Sequence, residues 1–214
     1  MIPNLIVPTL TRYDLLQRML SSIDYPVGHV LIIDNGNMID QLKLPAEIKE
    51  LTVLTMPANQ GVAGSWNLGI KCFPKDSQWL IVSDDVVFPA GALERYADLV
   101  DSSKMQFFDV SPKWACFSVG ETVVHKAGLA CELFHPAYFE DNDWERRIDQ
   151  AGVVKEILPI QVQHDNSSTL KSGFESKNAE TFIANKVVHD ERADAGVMSG
   201  GEWSLDIRRR NSWD

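Results

Sequence analysis

The feature that most constrains this chain is an alternation. Short continuous apolar runs, each closing on polar residues, are separated by segments with helical periodicity. "NLIVPTL", "HVLIIDNGN", "LTVLTM" and "QWLIVSDD" are predicted strands. Between them, "YDLLQRMLSSI" places Leu15, Leu16, Met19, Leu20 and Ile23 on one helical face, and "GVAGSWNLGIKCF" reads as a helix with a glycine-rich start. A further helix is predicted from about Pro89, whose ring suits a first-turn position. Strands that alternate with helices predict an α/β fold, a mostly parallel central sheet flanked by helices. Every carboxyl end in the series is polar: Thr9 and Thr11, Asp34 and Asn35, Asn59, then Ser83 to Asp85. Ligands bind at that edge of an open α/β sheet, so a site is expected there.

The second half is less regular. "MQFFDVSPKWACFSVGETVVHKAG" mixes strand-like pieces with a short helix. "YFEDNDWERRIDQAG" predicts a helix over Tyr138–Gln150, acidic at its start, with Arg146 and Arg147 further in and Gly152 as its stop. "VVKEILPIQVQH" predicts a strand ending at His164, "NSSTLKSG" a polar loop, and a polar helix follows from about Ser176. An apolar fraction of 44% and a charged fraction of 23% exclude disordered and fibrous classes. The net charge of −10 argues against a protein that tracks nucleic-acid backbones. Cys72, Cys116 and Cys131 have no CxxC spacing and read as reduced core residues. With no apolar run near the ~20 residues that span a bilayer and no signal-like start, a soluble cytoplasmic protein is expected.

Two adjacent carboxylates, Asp84 and Asp85, repel unless a cation or a hydroxyl-rich ligand lies between them; otherwise they are a solvated strand end. Oxygen ligands with few partners suit Mg²⁺ or Mn²⁺. Successive side chains of an extended segment point apart, so one aspartate can hold metal while the other reaches a sugar hydroxyl. Glu140, Asp141 and Asp143 either offset the helix dipole or supply a general base whose pKa is lifted by crowding and burial. His164 is either structural or a third arm that favours Mn²⁺. Neither GxGxxG nor GxxxxGK[ST] occurs in "ANQGVAGSWNLGI", although Gly61 and Gly64 allow close backbone approach to a nucleotide.

The order of these pieces, "IVPTLTR", "LIIDNGN", "NQGVAGSWNLGI", "VSDDVVFPAGAL", "YFEDNDWERRI" and the strand to His164, resembles the family 2 glycosyltransferases over about Asn4 to Lys186. The resemblance implies a GT-A, Rossmann-like fold with a less regular acceptor-side second half. It implies one domain over 1–186, with a nucleotide-binding half (1–103) and an acceptor and base half (104–186). The remaining 187–214 form an extension, either mobile or used in homo-oligomer assembly. It also implies an inverting, metal-dependent enzyme that moves a sugar from a UDP-, GDP- or dTDP-sugar to a glycan, protein or other hydroxyl-bearing acceptor. By the same resemblance Pro8 and Thr9 line the nucleotide pocket and Asp34 contacts the base. Asn59, Gly61 and Asn67 flank the nucleotide. Ser83 and Asp84 face the ribose, Asp85 and His164 hold Mn²⁺ or Mg²⁺, and Asp141, with Glu140 beside it, is the base. The chain departs from the family pattern in two places. Ser83 stands where an acid is usual, and "PTLTR" lacks the usual aromatic and asparagine. Two other readings belong beside this one: a GT-A-like domain that binds nucleotide-sugar or glycan without turnover, and a sugar-phosphate nucleotidyltransferase. The tail "IRRRNSWD" is either a solvated end or a contact for an anionic acceptor or partner.

Overall fold

The computed structural model describes residues 1–37, 39–165 and 175–200. The loop expected at "NSSTLKSG" and the basic tail "IRRRNSWD" lie outside the described residues. The first half follows the predicted alternation: β1 (Ile2–Thr9), α1 (Tyr13–Ser21), β2 (Val27–Asp34), β3 (Ile48–Thr55), α2 (Gly61–Cys72) and β4 (Gln78–Val82). A two-residue strand β5 (Val86–Val87) and α3 (Ala92–Leu99) complete it. The second half supplies β6 (Met105–Asp109), β7 (Cys116–Gly120), α4 (Glu121–Ala127), α5 (Glu140–Gln150), β8 (Lys155–Gln161), β9 (Gln163–His164) and α6 (Glu175–Asp194).

Seven strands form one sheet in the order β3-β2-β1-β4-β7-β6-β8. The pairs β1/β2, β2/β3, β1/β4 and β6/β8 are parallel, and only those involving β7 are antiparallel. Period-two alternation sorts each apolar run onto two faces. Leu5, Val7, Val30, Ile32, Leu80 and Val82 pack with Leu16, Met19 and Leu20 of α1 and with Leu93 and Tyr96 of α3. Ile6, Leu31, Ile33, Trp79 and Ile81 face the other way, against Trp66 and Ile70 of α2 and Trp144 and Ile148 of α5. A sheet covered on both faces is why these strands read as continuous apolar runs. Three tryptophans bind the second layer together: Trp114 stacks on Trp66 at 5.7 Å and on Trp144 at 6.0 Å between ring centroids. That stack ties α5 to α2.

Four expectations need correction. The strand predicted to run unbroken to His164 divides at Val162. β8 stays in the main sheet, whereas β9 leaves it and pairs antiparallel with β5, His164 opposite Val86. The acidic helix begins at Glu140, because Tyr138 and Phe139 have left-handed backbone angles that no α-helix accommodates. The helix expected from Pro89 begins at Ala92, capped by Gly91 at φ +74. Cys72, in the last turn of α2, is exposed; only Cys116 and Cys131 are buried.

Candidate active site

The parallel register of β1 and β4 sets Leu5 beside Leu80 and Ile6 beside Ile81, and the same offset carried forward brings Thr9 level with Asp84. The Thr9 hydroxyl accordingly donates to Asp84 Oδ2 at 2.6 Å. Asp85 turns the other way, and its Oδ1 lies 3.0 Å from His164 Nε2. The β5–β9 pairing delivers this contact, since it places His164 opposite the residue that follows Asp85. Both aspartates are buried. Burial first, and then the neighbouring Asp85 charge, push Asp84 up to about 7 against the opposing Thr9 bond. For His164, burial pulls the imidazole down, but the hydrogen bond and charge of Asp85 outweigh it, and the net shift is upward. Among the described residues no group of three or more His, Cys, Asp or Glu side chains converges as a metal cage. A carboxylate and an imidazole within 3.0 Å nevertheless fit a divalent ion that takes its remaining oxygens from substrate and water. Ser83, half-buried, holds the strand end through its amide, which donates to Ala115 O at 2.8 Å. Pro8 is half-buried one residue before Thr9.

The other expected nucleotide residues look inward. Asp34 has no exposed surface. Its oxygens accept from Tyr13 Oη at 2.8 Å, Gly36 N at 3.2 Å and Ile39 N at 3.1 Å, so it orders the turn after β2 and does not face the edge directly. Asn67 is buried and ties α2 to the loop after α4, giving bonds to Ala130 O and Glu132 and accepting one from Ala130 N. Asn59 caps Gly61 N through its side chain at 2.8 Å, and its carbonyl oxygen lies 2.8 Å from His135 Nε2. Gly61 has φ +72, and a Cβ there would sit 2.8 Å from Pro136 O. The close approach that this glycine permits is therefore to the protein's own 135–136 segment.

At the start of α5 the three acidic residues have separate fates. Asp143, fully buried, is gripped by Arg146 (2.9 Å), Arg147 (2.8 Å) and Arg192 (3.1 Å). Burial pushes it up, but the three guanidiniums outweigh that and hold it below the usual carboxylate range. It is a structural anion. Glu140 is 6% exposed, and its Oε2 is buried without a hydrogen-bond partner among the described residues. Burial, then the charge of Asp141, push it up to about 8. Asp141 is half-exposed, accepts from Asn142 N at 2.8 Å, and is shifted upward, mainly by burial. The two left-handed residues before Glu140 each cost roughly 1–3 kcal/mol, a strain of the kind found at functional sites.

One segment joins the two acidic clusters. Ser111 O lies 3.4 Å from His164 Nδ1, Lys113 donates to Glu145 of α5 at 2.6 Å, and Ala115 O receives Ser83 N. Sequence reasoning did not find Lys113, nor Arg18, which reaches the Asp85 carbonyl (3.4 Å) and the Asp165 carboxylate (2.5 Å). Arg18 reads in sequence as an ordinary basic residue in the last turn of a helix, so only the fold marks it.

No curated protein matches the chain. Among the described residues no helix is long and apolar enough to cross a membrane. The sequence profile of glycosyl transferase family 2 matches residues 4–151, a stretch that holds β1 to α5 and with them both acidic clusters. That match spans well over half of the chain, on a mostly parallel α/β sheet with its polar residues gathered at one edge, and the protein belongs to glycosyl transferase family 2.

Proposed function

We propose that this glycosyltransferase is an inverting, metal-dependent enzyme that moves one sugar from a nucleoside-diphosphate sugar to an acceptor hydroxyl. The observation that carries the reading is the division of labour at Asp84 and Asp85. One aspartate is held by Thr9 from β1, and the other meets His164 at 3.0 Å. Asp85 and His164 would hold Mn²⁺ or Mg²⁺, and such an ion would supply positive charge against the negative charge developing on the departing diphosphate. Asp84 and Ser83 face the ribose from the end of β4. Pro8 and Thr9 border the pocket, and Asp34, Asn59, Gly61 and Asn67 act on the nucleotide through the loops they hold in place.

Asp141 is the base. The three arginines that hold Asp143 and the upward shift of Glu140 to about 8 favour Asp141 over its two neighbours. The acceptor O–H gives its proton to Asp141, and the acceptor oxygen bonds to the anomeric carbon from the face opposite the leaving group. The bond from that carbon to the diphosphate oxygen breaks, and its electron pair leaves with the nucleoside diphosphate. Configuration inverts without a covalent intermediate. The catalytic domain extends over 1–186 in this reading, although α6 runs past 186 without a break.

The test is a panel of UDP-, GDP- and dTDP-sugars with Mn²⁺ or Mg²⁺, scored for released nucleoside diphosphate. Metal-dependent release from one donor class supports the enzyme. Tight donor binding with no release under any condition refutes turnover and leaves a binding domain.

A further inference from the structure

The backbone reaches Glu140 through two consecutive left-handed residues, Tyr138 (φ 78) and Phe139 (φ 72), neither of them glycine. Such a turn persists only where its surroundings hold it. On one side α2 does so: Val62 N donates to Pro136 O at 2.8 Å, and Gly61 leaves the space that Pro136 fills. On the other side stands α6, which lies beyond the residues matched by the family. Asn185 donates to Ala137 O at 2.8 Å and to Tyr138 O at 3.2 Å. The Phe182 ring packs on Tyr138 and Phe139 at 5.6 and 4.9 Å, and His189 lies against Phe139 at 5.3 Å. Further along, Arg192 reaches Asp143.

Between 179 and 194, α6 buries a polar side chain more fully than any aliphatic one. Its aliphatic Ile183 and Val187 point outward, 66% and 53% exposed, while Asn185, 5% exposed, is the one buried side chain between 179 and 194. A helix docked for hydrophobic burial would do the opposite. The Asn185 amide has two N–H donors, and the two turn carbonyls take them. We infer that Asn185 is a positioning residue for transfer, holding the left-handed turn that sets the carboxylates of Glu140 and Asp141. The inference rests on the transferase reading above.

Asn185→Leu keeps the size and removes both donors, and Asn185→Gln restores an amide. For transfer, N185L is expected to lower kcat roughly 30-fold or more, as misplacement by about an ångström does. Donor KM and metal-dependent donor hydrolysis are expected to stay within about twofold, and N185Q to recover part of the loss. Wild-type transfer by N185L overturns the inference. So does an equal loss of transfer, hydrolysis and donor binding, which marks a fold defect. If N185L does not fold, Phe182→Ala, on the more exposed side of the same clamp, takes its place with the same expected split. A second readout does not depend on activity. Asp143 N donates to Phe139 O at 2.9 Å, so hydrogen exchange at the Asp143 amide reports the turn. Faster exchange in the variant than in the wild-type chain supports the clamp; unchanged exchange overturns it. If the wild-type chain turns over no nucleotide-sugar, the transferase reading fails, and the exchange measurement still decides for or against the clamp.

Discussion

Glu140→Gln is expected to stabilise the protein, and to do so only as pH rises. Gln keeps the shape and cannot ionise. In the native chain Glu140 is 6% exposed, has a buried oxygen without a partner among the described residues, and is pushed from its ordinary 4.5 up to about 8. Between those two values the unfolded chain has released a proton that the native chain retains. The native state then binds more protons, so the stability that Glu140 contributes is full below about pH 4.5 and is lost as pH rises towards 8. At about 1.4 kcal/mol per pH unit, that interval bounds the loss at about 5 kcal/mol, with about 3 kcal/mol of it present by pH 7. Urea melts of wild type and E140Q, run side by side at pH 4.5, 7 and 8.5, read the effect. Near-equal midpoints are expected at pH 4.5. At pH 7 the E140Q midpoint should lie about 1–1.5 M higher, for a denaturant slope of about 2–3 kcal/mol/M. All other titrations cancel in the comparison. A difference that does not change with pH, or one that favours the wild type at pH 8.5, would refute the burial argument and place Glu140 in water or beside a cation.

Asp85→Ala is expected to abolish the metal dependence of donor binding, read by calorimetry with and without Mn²⁺; an unchanged metal effect removes Asp85 from the ion. Asp141→Ala should bind donor as wild type does and lose transfer by about 100-fold or more; surviving transfer removes it as the base. Asp143→Asn strips the carboxylate shared by three buried or partly buried guanidiniums and should destabilise the chain by about 3–5 kcal/mol, measured by chemical denaturation. Gly61→Ala forces a side chain onto a backbone at φ +72 and against Pro136 O, so a loss of more than about 1 kcal/mol is expected in the same assay.

Much of the first half was legible because its signals are local. The apolar runs of β1, β2 and β4 must alternate between two faces, and a strand ending in Asp84 and Asp85 needs partners for both. What escaped sequence reading depends on contacts between distant segments. Val162 continues the apolar-polar alternation of β8, so nothing local announces that the chain there leaves one sheet for another. Asp34 reads as a polar strand end at the ligand-binding edge, yet it is buried and accepts from the hydroxyl of Tyr13, twenty-one positions earlier. The left-handed Tyr138 and Phe139 carry no glycine to mark them. Nor does a polar helix reveal that the one fully buried side chain between 179 and 194 is an asparagine.

The stretch from Ser111 to Ala115 has a mechanical consequence. Its first carbonyl touches the imidazole beside Asp85, its last receives the amide of Ser83, and its lysine grips the helix that carries the acidic pair. These five residues thus form a shared beam, and a displacement at either end is expected to be felt at the other. Substitution energies measured on the two sides of that beam should therefore fail to add, and the deficit in a double-mutant cycle between His164 and Glu145 would measure its stiffness.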